Sequence, residues 1–297
     1  MNPWLAALAY SALFFSIFAG LAFWRHRSRK TRAPFPENTR LLRGPGETLR
    51  RRLADLDERS TLEALVMLGL PLLAAAALGA IVTQLPASAQ LIALPLAVLA
   101  VLAALYFAAR RLVAGIDQWR NVYLGCFGER IVGEALEPLK AQGCRVFHDV
   151  PCADGKTTFN IDHVVVGPSG IFAIETKTRR KQQQRPREGV AADKIIFDGQ
   201  VLAFPWGEDR HGLEQAARQA RWLEDSLALL LGRRTPVQPI LTFPGWFIIR
   251  RATGTVAVLN PKEIPAAVAP RGAPALAAAE IDLIARQLDA RCRDVEF

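Results

Sequence analysis

Three side chains in this sequence, Asp162, Glu175 and Lys177, have the types and spacing to handle a hard cation and a phosphate together. The β-branched-rich runs Ile161–Val166 and Ile171–Lys177 flank the turn-forming Gly167-Pro168-Ser169-Gly170, a pattern that predicts an antiparallel hairpin. Pairing Val166 with Ile171, or Gly167 with Gly170, sets Asp162 opposite Glu175. Directly opposed side chains share a face with Cβ atoms roughly 4.5–5.5 Å apart, and alternation brings Lys177 to that face too. Opposed like charges are destabilising unless something lies between them. Two converging carboxylates beside an amine form a site for a divalent cation, magnesium first and manganese as its substitute, with the Thr176 backbone carbonyl as a further ligand. A solvated strand edge is the competing reading of this spacing. The shared face, the strand-end position and the basic run that follows favour the cation.

That run is Lys177, Arg179, Arg180, Lys181, Arg185 and Arg187. A solvated charge run is its default reading; beside a cation site, contact with a phosphate backbone stands equal to it. Upstream, Asp117–Lys140 reads as a helix closed near Gly143. Glu129 falls on its inward stripe with Val122, Gly125, Val132, Gly133 and Leu136. A carboxylate facing a core needs a partner, and both a salt bridge and a place at the cation site answer that need. Glycines 125, 128 and 133 let the helix approach the sheet closely.

Asp162 followed by Glu175-Thr176-Lys177 resembles the core of the PD-(D/E)xK nuclease superfamily. The longer pattern resembles the nuclease-related domain (NERD) family: Gly125-Cys126-Phe127-Gly128-Glu129, then Ile161-Asp162-His163-Val164-Val165-Val166-Gly167-Pro168, then Ile174-Glu175-Thr176-Lys177. The likeness covers roughly residues 118–235, with Ile161 where the superfamily name has proline. It implies an α/β, restriction-endonuclease-like mixed sheet flanked by helices, and magnesium-dependent cleavage of phosphodiester bonds in DNA. On this likeness Asp162, Glu175, Lys177 and Glu129 are catalytic, and Asp162, Glu175 and Thr176 hold the metal. Arg179, Arg180, Lys181, Arg185 and Gln215 contact nucleic acid, Gln215 by matching a glutamine near the start of the helix after the catalytic hairpin. The alternative is an inactive nuclease-fold module that binds nucleic acid or a protein at the membrane.

These residues need elements to position them. Arg145–Val150 reads as a first strand, Asp154-Gly155-Lys156 as a turn, and Lys194–Phe197 with Gln200–Phe204 as a second hairpin. His211–Leu231 is a helix with Leu213, Ala216, Ala220, Leu223, Leu227 and Leu230 on one stripe. Val237–Thr242 and Thr255–Leu259 are later strands, Ile264–Pro274 a linker and Ala275–Arg291 a final helix. G-x-S-x-G, Walker A and H-E-x-x-H motifs are absent. His163 alternates away from Asp162, and the four cysteines show no metal-ligand spacing and read as core residues.

The chain has 297 residues, 51% of them hydrophobic, and the excess lies in the first 110. Trp4–Trp24 carries no charge over 21 residues, and further apolar runs cover Leu62–Val82 and Leu91–Ala109. Three transmembrane helices are expected. Arg25–Thr61 holds eleven Lys or Arg against five acids, and the third run meets Arg110-Arg111. The positive-inside rule then puts the N-terminus outside and everything after Arg110 in the cytoplasm. Much of the net charge of +9 is therefore topological. The expected organisation is a first helix (1–24), a cytoplasmic basic loop (25–61), a helical hairpin (62–111), the nuclease-like domain (112–262), and a linker with a C-terminal helix (263–297). Taken with the resemblance, the expected location is a bacterial inner membrane, with the lipid bilayer and DNA as partners.

Overall fold

The computed structural model describes residues 3–28, 39–155, 157–181, 191–270 and 272–296. The chain divides into two compact units: Met1–Glu37 with Arg52–Asn121, and Asn38–Arg51 with Val122–Phe297. The helices are α1 (Pro3–Ser28), α2 (Glu47–Val82), α3 (Ala87–Leu136), α4 (His211–Leu231), α5 (Ile264–Val268) and α6 (Ala278–Cys292). The strands are β1 (Leu41–Leu42), β2 (Arg145–Asp154), β3 (Thr157–Gly167), β4 (Gly170–Thr176), β5 (Lys194–Phe197), β6 (Leu202–Phe204), β7 (Gly207–Asp209), β8 (Val237–Thr242), β9 (Phe247–Arg250), β10 (Ala257–Leu259) and β11 (Arg293–Val295).

The first unit is helical. Among the described residues one helical stretch, Ala87–Gln142, is long and apolar enough to cross a membrane. In its apolar first part the large side chains face outward, with Leu91 79% and Phe107 67% exposed. The expectation of three such helices is corrected to one candidate. The other apolar helical stretches among the described residues, Ser11–Gly20 and Gly69–Val82, are shorter.

The second unit is α/β. Its main sheet runs β10-β8-β4-β3-β2. Strands β2, β3 and β4 are antiparallel neighbours, while β8 and β10 run parallel to β4. The sheet is therefore mixed, as expected, and helices cover both faces. Strand alternation explains the two cores. Ile171, Ala173, Val164 and Val166 pack with Ala220, Leu223 and Leu227 of α4 and Ile281, Ile284 and Leu288 of α6. Phe172, Ile174 and Val165 pack instead with Val132 and Leu136 of α3 and Ile264 and Val268 of α5. A second sheet, β7-β6-β5-β9, has its own core, which includes Trp246 and Phe204.

Several elements differ from expectation. The segment expected to be a linker contains α5, because Ile264 and Val268 are fully buried and Asn260 caps the turn before it with Glu263. The final helix begins at Ala278, where Glu280 accepts from the Ala277 N–H, and it belongs to the main core rather than to an appendage. Residues 38–51, expected within a cytoplasmic loop, fold with the second unit: β1 pairs with β11, and α2 begins at Glu47.

Candidate active site

The hairpin register is the one its turn chemistry requires. Gly167 pairs with Gly170, Val166 with Ile171 and His163 with Ile174. The ladder stops there, one pair short of Asp162 and Glu175. In place of a backbone bond, the Thr176 N–H donates to Asp162 Oδ2 at 2.7 Å. Lys177 Nζ reaches Glu175 Oε1 at 2.7 Å and also donates to Gln215 Oε1 on α4 at 2.8 Å. Glu175, Lys177 and Gln215 are thus one bonded group, and the Thr176 N–H ties Asp162 in next to it.

Glu129 joins them electrostatically from α3. It is buried, as are Val122, Val132 and Leu136 on the same stripe. Burial, with Asp149 and Glu175 nearby, pushes its pKa up to about 8, against an N–H from Gly46 that favours the charged form. Asp162 is likewise raised well above the usual carboxylate range, by desolvation first, then by Glu175 and Glu129. Lys177 opposes both shifts without cancelling them. Carboxylates that repel one another in a desolvated place retain their protons unless a positive charge is supplied.

The donor set suits a hard cation: Asp162 and Glu175 converge, and Glu175 Oε2 is buried with no hydrogen-bond partner. A pre-formed cluster is another matter. Among the described residues no three His, Cys, Asp or Glu side chains are grouped so as to hold a metal ion. The residues fit a cation held by two carboxylates, with backbone or substrate oxygens completing its shell.

Residues 124–244 match the family model of the nuclease-related domain, NERD. The match spans under half of the chain, from the end of α3 to the residues just past β8, and takes in Glu129, Asp162, Glu175, Lys177 and Gln215. No curated protein and no solved structure matches the chain.

Within the NERD segment, the basic residues after β4 fall into two groups. Arg179 pairs with Asp209 at 3.2 Å, and its carbonyl accepts from the Trp246 indole. Lys181 lies over the Trp246 ring at 5.6 Å, and Arg180 is exposed. Arg185 and Arg187 lie outside the described residues. A surface concavity lined by Asp198, Glu214, Arg218 and Arg221 shares no residue with the acidic site.

His163 points away from the acids, as its alternation requires. It is fully buried, and its Nδ1 meets His148 Nδ1 at 2.8 Å. Desolvation lowers the pKa of both, His148 to about 4, so the pair is neutral and structural. Two of the glycines of α3 serve a purpose other than sheet contact. A Cβ on Gly133 would meet Pro45 at 2.8 Å, and one on Gly125 would meet Leu49 at 3.0 Å. These two receive Pro45 and the first turn of α2, whereas a Cβ on Gly128 would run into Thr178, just past β4.

Asp149 is the neighbour that sequence reasoning passed over. It has φ 49° within β2, and Arg43, Thr48 and Asn160 all donate to it. A tight turn pairing Asp154 with Thr157, as observed, sets Asp149 level with Asp162. The Asp154-Gly155 turn was the available signal.

Proposed function

We propose that this protein is a membrane-anchored, metal-dependent nuclease that cleaves phosphodiester bonds in DNA. The observation that carries the reading is the bonded group of Glu175, Lys177 and Gln215 with Asp162 tied in by the Thr176 N–H, set where Glu129 adds a third carboxyl group. Asp162 and Glu175, with the Thr176 carbonyl, would hold magnesium or manganese. Bound there, the ion would lower the pKa of a water and stabilise charge on the scissile phosphate. Lys177 has one amine shared between Glu175 and Gln215, so it is held at the site and can orient that water or neutralise charge at the phosphate. Glu129 supports the acidic shell from α3. Arg179, Arg180 and Lys181 supply phosphate contacts beside it, and Arg185, outside the described residues, belongs to the same basic run. The exposed apolar Ala87–Gln142 stretch and the basic residues between the first two apolar runs support anchoring in a bacterial inner membrane, with the NERD segment in the cytoplasm.

A specific observation favours the second reading, an inactive nuclease-fold module that holds nucleic acid or a protein. It is the absence, among the described residues, of a three-ligand cluster. The two readings part in one experiment. The full chain in detergent is incubated with plasmid and linear DNA at a series of magnesium and manganese concentrations. Cleavage abolished by Asp162→Ala, Glu175→Ala and Lys177→Ala supports the nuclease. DNA retention without cleavage, unaffected by metal, supports the inactive module, and cleavage that persists in all three variants places any hydrolytic centre elsewhere.

A further inference from the structure

Residues 43–48 lie far outside the NERD match, yet they reach the back of its acidic site. Arg43 is nearly buried between two aspartates. Its Nε and Nη2 grip Asp294 at 2.7 and 2.5 Å, and its Nη1 donates to the Asp149 carbonyl at 3.1 Å and carboxylate at 3.2 Å. Thr48 adds its N–H and its hydroxyl to the same Asp149 oxygen, at 2.7 and 2.6 Å. Asn160, two residues before Asp162, donates to the other Asp149 oxygen at 2.8 Å and to Thr48 Oγ1 at 2.6 Å.

Asp149 needs this attention because it breaks its strand. His148 pairs with His163 and Val150 with Ile161, leaving Asp149 and Asp162 as the unpaired level between them. Phe147 and Val150 nevertheless belong to the same core, which strict alternation forbids. The left-handed φ of Asp149 makes the switch, at a cost on the order of 1 kcal/mol for a non-glycine residue. Hydrogen bonds from Arg43, Thr48 and Asn160 hold it there. Ile161 and Val164 show the same shared face across Asp162. The break that aims Asp162 out of the regular ladder is therefore matched by one that residues 43–48 secure.

The Gly46 N–H of this segment also lies near enough to Glu129 to favour its charged form. Its seat is shaped for it. Gly46 has φ 75°, and a Cβ there would meet Cys126 Sγ and its carbonyl at 3.1 and 3.2 Å, while Gly125 and Gly133 of α3 make room for Leu49 and Pro45.

We propose that Arg43–Thr48 is a positioning strap for the acidic site: it holds Asp149 and Glu129 behind Asp162 and Glu175, and the site is assembled only while it is seated. The proposal rests on the hydrolytic reading given above. It concerns the strap as a set of positioning residues, none of which touches substrate.

The test uses the full chain in detergent with Gly46→Ala, Arg43→Ala and Thr48→Val, and Thr48→Ser as the conservative partner that keeps the hydroxyl. Maleimide labelling of Cys126, quantified by mass spectrometry, reports the seat, because the Cys126 thiol is buried against the Gly46 carbonyl. Magnesium dependence of DNA cleavage reports positioning. Faster Cys126 labelling together with a several-fold rise in half-saturating magnesium, both reversed in Thr48→Ser relative to Thr48→Val, supports the strap. Faster labelling with a lowered maximal rate and unchanged half-saturation means lost folding alone and overturns it. Labelling as slow as in the unaltered chain overturns it too. An unaltered chain that never cleaves, with either metal, sinks the hydrolytic reading and the positioning role with it, a result distinct from the other two.

Discussion

The Thr176 N–H that donates to Asp162 Oδ2 at 2.7 Å ties the aspartate of β3 to the residue that follows Glu175 on β4. A side chain thus does the work of the missing ladder bond. It holds Asp162, midway along β3, near Glu175 just past the point where the β3–β4 ladder stops, where two like charges would otherwise push the strands apart. One N–H favours the charged form of Asp162, yet burial, Glu175 and Glu129 together outweigh it. The site is therefore under electrostatic load before any cation arrives.

Relieving that load has a measurable signature. Asn at position 162 keeps an oxygen to accept from Thr176 and removes one charge. Asp162→Asn should leave the metal-free protein as stable or more stable in a thermal melt of the full chain in detergent. A cation that binds only the folded state adds RT ln(1 + [L]/Kd), about 2.7 kcal/mol at a hundredfold excess over Kd. Most of that gain should vanish in Asp162→Asn and survive in Asp154→Asn, which alters the exposed turn. An Asp162→Asn protein that melts lower without metal and gains fully from magnesium shows that the two carboxylates do not share an ion.

Stability of the metal-free protein should also fall as pH rises, the reverse of the common acid denaturation. Folded Glu129 keeps its proton up to about pH 8, whereas in the unfolded chain it releases it near its ordinary value of 4.5. Between those values the folded state binds more protons, so raising the pH favours unfolding. The raised Asp162 acts in the same direction. The melting temperature without metal should decline from about pH 5 to about pH 8, and Glu129→Gln should flatten that slope. Saturating magnesium should flatten it as well. A metal-free melting temperature that rises over this range in the unaltered chain contradicts the assignment of Glu129 as a protonated, buried acid.

Much of this site was legible in the residues themselves. The turn Gly167–Gly170 dictates the register of five pairs, down to His163 with Ile174, and the ladder stops one pair before Asp162 and Glu175. The leucine and alanine stripe of α4 defines that helix to the residue and places Gln215 in its first turns. What escaped was non-local. Arg43 meets Asp149 and Asp294 across more than a hundred and more than two hundred residues, with no spacing to betray it. The glycines of α3 announced a close approach without naming its partners: Gly128 faces Thr178 just past β4, but Gly125 and Gly133 face Leu49 and Pro45. The short strands β7 and β9 pair within a second sheet whose parallel β5–β9 contact skips three intervening strands and a helix. Periodicity cannot see such a pairing in three or four residues.

Gln215 offers a test confined to Lys177. Its Oε1 accepts from the amine at 2.8 Å, and the remaining bond of that amine is to Glu175. Gln215→Leu leaves Lys177 drawn to Glu175 alone and free to swing. The expected loss in kcat for DNA cleavage is roughly ten- to hundredfold, the usual penalty for misplacing a reacting group. KM for DNA should stay within a small factor, since the positioning of Lys177, rather than DNA capture, is disturbed. A raised KM with an intact kcat would instead assign Gln215 to DNA contact.

Topology separates a three-span anchor from a single-span one. Apolar runs 4–24, 62–82 and 91–109 imply three crossings, while one described stretch, Ala87–Gln142, meets the length and hydropathy needed by itself. Reporter fusions after Ser60, Ala87 and Gly115 distinguish the cases. Three crossings with positive-inside orientation put Ser60 and Gly115 in the cytoplasm and Ala87 outside. A single crossing puts Ser60 and Ala87 on one side and Gly115 on the other. The decisive position is Gly115, because it precedes the NERD segment. A cytoplasmic signal there gives the acidic site access to chromosomal DNA in either case. An external signal after Gly115 would remove that substrate and overturn both the orientation and the proposed role, whatever the purified protein does to DNA in a tube.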